Sequence, residues 1–201
     1  MIGLVTMTVV AGCTTTSQGE PIPVTSVEAT DSGSPSSSGQ ELPFAGAPKV
    51  DDPLDTTRFQ QDPCQALTAT QITAILDASI DGKPTDRPLG NACQWRNPDT
   101  RGLVEVHFLD EDPRGLSAEY QADKDGKWAY FEKLPPIEGH PAVARSGSDD
   151  RDIGLCTVVV GVSDEVTFDV PVQLSEANVG KDPCEAAVKV AGMALQTMKK
   201  G

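Results

Sequence analysis

Apolar residues recur at two different periods along this chain, and each change of period marks an element. Near the C-terminus, Cys184, Ala187, Val188, Ala191, Ala194, Leu195 and Met198 follow one another mostly at spacings of three and four. That is one stripe of an α-helix. Asp182 and Pro183 open it, because a carboxylate accepts the free N–H groups of a first turn and proline fits the first helical position. Glu185, three residues after Asp182, is expected to complete an acidic capping box. Lys199 and Lys200 close the helix, where positive charge suits the macrodipole. The same tripeptide occurs earlier as Asp62-Pro63-Cys64. There Asp62-Pro63 starts a turn, and Thr68 with Gln71 forms a capping box ahead of Ile72, Ile75 and Leu76.

Between these helices the period falls to two. The stretches NACQWR (91–96) and LVEVHFL (103–109) flank the turn-rich NPDTRG and predict a β-hairpin. Val104, Val106 and Phe108 share one face, while Glu105 and His107 share the other, polar one. Residues 114–124 predict a short helix on one edge. HPAVAR (140–145), IGLCTVVVG (153–161) and EVTFDV (165–170) supply three more strands. Strands in runs with helices at the ends indicate an α+β fold. The expectation is an antiparallel β-sheet of about five strands packed against N-terminal and C-terminal helices, as a single domain over 59–201.

The first residues change the picture. Residues 2–11 are apolar apart from Gly3, Thr6 and Thr8, and Ala11-Gly12-Cys13 follows. The apolar run is too short to span a bilayer but suits a secretion signal. A cysteine directly after Ala-Gly reads as a lipobox, with residues 1–12 as signal peptide and Cys13 as the lipidated N-terminal residue. No Lys or Arg precedes Lys49, so the basic n-region of such a signal is missing, and the true start is expected a few basic residues upstream. Residues 14–39 are dominated by Ser, Thr, Pro and Gly, too polar to bury a core. Together with residues 40–58 they read as a disordered tether with a reach of roughly 35–40 Å.

The formal net charge is −14, which repels nucleic acid and anionic lipid headgroups. The chain has five cysteines. With Cys13 set aside for lipid, Cys64, Cys93, Cys156 and Cys184 remain, an even number suited to disulfides in an oxidising compartment. Three connectivities are possible. The order along the chain favours 64 with 93 and 156 with 184, each stabilising the domain by roughly 3.6 kcal/mol on the chain-entropy account. Each Asp-Pro-Cys would then staple the start of a helix to the sheet. No C-x-x-C occurs and no His adjoins a Cys, so neither a zinc site nor any other cofactor is expected.

Five pieces in order resemble one known family. They are Asp62-Pro63-Cys64, Cys93-Gln94-Trp95, Gly139-His140-Pro141-Ala142-Val143, Cys156-Thr157-Val158-Val159-Val160 and Asp182-Pro183-Cys184. With the lipobox and tether, this set is similar to the actinobacterial lipoprotein family called domain of unknown function 3558. The resemblance implies a location at the cell membrane, on its extracytoplasmic face, and supports the helix-plus-sheet fold. It supplies no activity.

Candidate chemistry is sparse. There are only two histidines, His107 and His140, and none of the common hydrolase, metalloprotease, P-loop or dinucleotide motifs. The nearest miss is a calcium loop around Gly126, with Asp123, Asp125 and Glu132 at ligand positions, but Gln121 stands where the first Asp belongs. The acidic runs 110–112 and 149–152 read as solvated turns. No catalytic and no metal-ligating residue is therefore expected. The expected role is a non-enzymatic module binding an envelope protein, a cell-wall fragment or a lipid. The alternative is an envelope hydrolase acting on cell-wall material. A deep pocket setting His107 or His140 beside a carboxylate would favour the hydrolase, and a shallow surface would favour binding.

Overall fold

The computed structural model describes residues 40–200. The segments read as signal peptide and tether through residue 39, Cys13 included, lie outside the described residues. Four helices and seven strands follow one another: α1 (Thr57–Gln61), α2 (Ala69–Leu76), β1 (Lys83–Arg87), β2 (Gly90–Arg96), β3 (Leu103–Phe108), α3 (Leu116–Lys124), β4 (Tyr130–Ile137), β5 (His140–Ser146), β6 (Leu155–Gly161), β7 (Thr167–Gln173) and α4 (Pro183–Met198). The strands form one antiparallel sheet in the order β1-β2-β3-β7-β6-β5-β4. The fold is α+β as the patterning indicates, but the sheet has seven strands where about five were expected.

The order describes two meanders joined along one seam. β1 to β3 form the first, β4 to β7 the second, and β3 pairs with β7 between them. At the seam Phe108 faces Phe168, with ring centroids 5.8 Å apart and both side chains fully buried. Burying each ring contributes roughly 1.5–3 kcal/mol, added to the β3–β7 ladder where the meanders join.

One sheet face packs on α4, whose buried stripe is Cys184, Ala187, Val190, Ala191, Ala194, Leu195 and Met198. Val190 replaces the expected Val188, which is half-buried. Asp182 caps the helix as anticipated, accepting the N–H of Cys184 at 2.8 Å and of Glu185 at 3.4 Å. The Glu185 carboxylate does not reach back to complete a capping box. It pairs with Lys189 at 2.7 Å, one helical turn on. The Thr68–Gln71 capping box at α2 is complete.

The disulfides are Cys64–Cys93 and Cys156–Cys184. Cys64 sits in a 3-10 turn, Pro63–Ala66, capped by Asp62, and Cys93 is in β2. Cys184 is in the first turn of α4 and Cys156 in β6. Each Asp-Pro-Cys thus fixes the opening of a helical element to the sheet.

Composition assigned residues 40–58 to the tether, and here the structure differs. The N–H of Phe44 donates to Ser117 Oγ at 2.9 Å, that of Val50 to Asp164 Oδ1 at 2.8 Å and that of Leu54 to the Val162 carbonyl at 2.8 Å. Ala47, Val50 and Thr56 are buried. A few apolar residues with paired backbone groups suffice to order a segment that reads as polar on average.

Candidate functional site

Two concavities occupy opposite faces of the sheet. The first follows from the alternation in β3. Glu105 and His107 lie on the face away from α4, as expected, but that face is not solvent: the two residues are 4% and 8% exposed. α3 covers one end of it, burying Leu116 and Tyr120 against Val143 and Val159. Beside α3 runs a network of buried charge. Arg87 grips Glu105 through two bonds, at 2.6 and 3.1 Å, and Gln94 Nε2 donates to the same carboxylate at 3.0 Å. Arg145 bridges Glu119 and Asp169, both at 3.1 Å, and its guanidinium stacks 4.6 Å from the Trp128 ring. Burial pushes the Glu119 carboxyl above the usual carboxylate range, and the Arg145 charge pulls it partly back.

His107 and Asp169 are register partners across the seam, with Nδ1 3.3 Å from Oδ1. The structure therefore sets one of the two histidines beside a carboxylate. Its other nitrogen, Nε2, is buried without a hydrogen-bond partner among the described residues. The adjoining cleft, about 470 Å³, is open and lined by Arg87, Gln94, Arg96, Glu105, His107 and Asp169 among others. Among the described residues no Ser, Thr, Cys or Tyr lines it, so a His–Asp pair here has no hydroxyl or thiol to activate.

The second concavity lies on the α4 side, between α2, α4 and the end of the sheet, with a volume of about 400 Å³. Leu76, Leu103, Val104, Val172, Val190 and Met193 give it an apolar lining, with Asp77, Asn178 and Lys189 also bordering it. Sequence reasoning missed it because its lining comes from α2, the ends of β3 and β7 and α4, which are far apart in the chain. Each apolar residue in it reads as ordinary core.

The remaining candidates are dispersed. His140 is buried on β5, and its Nδ1–H donates to the Gly161 carbonyl at 3.2 Å. Desolvation, aided by the Lys199 charge, holds its pKa below the usual value. The calcium-loop residues do not converge: Gln121 and Asp123 belong to α3, Gln121 donates to Asp125, and Glu132 accepts from Tyr130 on β4. In the acidic turns Asp112 pairs with Arg114, and Asp149 with Arg151, each at 2.6 Å. No helix among the described residues is long and apolar enough to cross a membrane.

These features define a class: a single α+β domain whose two disulfides each tie a helical opening to one antiparallel sheet. The chain belongs to the family described as Protein of unknown function (DUF3558), whose profile matches residues 8–197. Comparison with curated proteins and with solved structures gives no match.

Proposed function

We propose that this chain is an actinobacterial cell-envelope lipoprotein, held to the extracytoplasmic face of the membrane by lipid on Cys13, and that its domain is a non-enzymatic binding module. The Ala-Gly-Cys motif supports the anchor, and it falls within the span that the family shares. Two disulfides suit an oxidising compartment. The observation that carries the binding role is the apolar pocket between α2 and α4, whose size is that of small-molecule sites and which no histidine lines.

The alternative, a hydrolase acting on cell-wall material, has the His107–Asp169 pair in its favour. Among the described residues it lacks a hydroxyl or thiol nucleophile in the cleft. The carboxylates there are already engaged by Arg87 and Arg145.

Two measurements test the proposal. Cys13→Ala should be released from membranes as a secreted form, and unchanged detergent partitioning of that variant would remove the anchor. His107→Ala/His140→Ala should still complement a deletion strain, whereas a pocket-filling Ala74→Trp should not. Loss of function in the histidine variant, with fold and surface level intact, would favour the hydrolase.

A further inference from the structure

We propose that α3 is a pH-sensitive latch: it stays closed on the sheet while Glu119 carries a proton and lifts when that proton is lost. Three carboxylates, Glu105, Glu119 and Asp169, are buried where α3 meets the sheet. Arg87 and Gln94 satisfy Glu105. Glu119 and Asp169 share a single guanidinium, that of Arg145. With both ionised, the pair keeps one buried negative charge that no cation among the described residues balances. Two like charges in one desolvated site favour holding a proton. The other charged groups near α3 leave this count unchanged. Asp112 and Arg114, in the turn before α3, pair with each other at 2.6 Å. Lys133 of β4 lies 5.1 Å over the Tyr120 ring and is exposed, as are Asp123 and Lys124 at the end of α3. Arg96 is in register with Leu103, four residues along β3 from His107.

Geometry places the proton on Glu119. Asp169 has a second polar neighbour, His107 Nδ1, 3.3 Å from Oδ1. The Glu119 carboxylate has one donor among the described residues, Arg145 Nε at 3.1 Å. A second proton on His107 would leave an N–H at Nε2, which is buried without a partner among the described residues. Burial, with the Asp169 charge adding to it, holds the Glu119 carboxyl above the usual carboxylate range against the pull of Arg145. Once ionised, Glu119 is 7% exposed and gains hydration only if α3 moves. The helix is built to pivot. Its N-terminal end is fixed: Ser117 Oγ holds the Phe44 N–H, and a Cβ at Gly115 would lie 2.2 Å from the Asp164 carbonyl oxygen. Its C-terminal end runs into Gly126, exposed, at φ +67° and with nothing within 4 Å of where a Cβ would stand. Trp128 Nε1 donates to the Glu119 carbonyl at 3.3 Å, and its ring stacks on Arg145, so the indole reports the closed state. Lifting uncovers Val143 and Val159, on which Leu116 and Tyr120 rest.

Amide hydrogen exchange on the full chain carrying Cys13→Ser tests this between pH 4.5 and 8.5, with each amide corrected for its intrinsic rate. The opening constant of residues 116–124 should rise with pH, by at most about tenfold per unit because one proton is released, and then level off. The whole rise should be at least about fivefold, and tryptophan emission should follow the same course. Glu119→Gln keeps the side chain's size and cannot ionise. Its α3 should match wild type at pH 4.5, show no rise, and be at least about fivefold better protected than wild type at pH 8. Asp169→Asn leaves Arg145 to Glu119 alone and should move the rise to lower pH or shrink it. Exchange of α3 in the wild type that does not vary with pH would overturn the latch. So would the wild-type rise persisting in folded Glu119→Gln, or an unchanged pH course in Asp169→Asn.

Discussion

Asp164 accepts the backbone N–H of Val50 at 2.8 Å, across 114 positions of sequence. This single carboxylate ties the segment before α1 to the turn between β6 and β7. Asp164→Ala should cost about 1.5–3 kcal/mol, the range for a hydrogen bond to a charged group. At this chain length that lowers the melting temperature by several degrees. A chain lacking residues 1–58 should also melt below one lacking residues 1–39. Equal melting of the two truncations would show that the strap adds nothing.

Arg145 serves two buried carboxylates at once. Arg145→Met should cost roughly 3–5 kcal/mol near neutral pH, because Glu119 and Asp169 lose their shared partner. Glu119 already titrates above its ordinary value through burial, and removing Arg145 raises it further. The folded state then binds protons more readily than the unfolded chain, so the loss should shrink as pH falls from 7.5 toward 5. Urea melts of variant and wild type at both pH values measure it. A deficit independent of pH would assign Arg145 to packing on Trp128 alone.

His140 carries the opposite dependence. Burial holds its pKa in the folded state below the ordinary imidazole value of about 6.5, so the unfolded chain takes up its proton first. The stability that neutral His140 contributes is complete above pH 6.5 and declines as pH drops below it toward the lowered folded value. Glu119 works against this trend in the same range, so the wild-type curve alone does not isolate the histidine. The difference between wild type and His140→Asn should narrow on going from pH 7.5 to 5, and a constant difference would contradict the assignment.

The two disulfides should differ in worth. Their sequence separations are 29 and 28, so chain entropy alone makes them nearly equal, at roughly 3.6 kcal/mol each. Cys156–Cys184 also positions α4, which contributes seven buried apolar side chains after Pro183. Cys156→Ala/Cys184→Ala should therefore destabilise more than Cys64→Ala/Cys93→Ala in parallel denaturant melts. The reverse ranking would mean that α4 docks without its staple.

Helix openings and central strands were legible in the sequence because their signals are local. Asp182-Pro183, the Thr68–Gln71 box and the alternation through Val104, Val106 and Phe108 all show in short windows. The two strands that escaped, β1 and β4, are the sheet's edges. Lys83-Pro84-Thr85-Asp86-Arg87 is almost wholly exposed and charged, and β4 carries Pro135-Pro136 at a break in register. Charge and proline are what keep an edge from pairing with another chain, and they erase the pattern by which a strand is recognised. The candidate sites were less legible. Asp169 and Arg145 reach His107 and Glu119 only through β3–β7 pairing and the packing of α3, which join residues 24 to 62 positions apart.

The seam between β3 and β7 has a consequence for the integrity of the molecule. One disulfide lies wholly before α3 and the other wholly after it, so no disulfide among the described residues crosses the seam. A protease cutting at the exposed Asp125–Gly126 turn would leave two fragments, each internally cross-linked and each carrying one meander. Phe108 against Phe168, the strand ladder around them, the Glu119–Arg145 pair and the strap bonds at Val50 and Leu54 would be the adhesive. Once nicked, the domain would be a non-covalent heterodimer of its own halves, and such a sample should run as two species in denaturant while eluting as one in buffer.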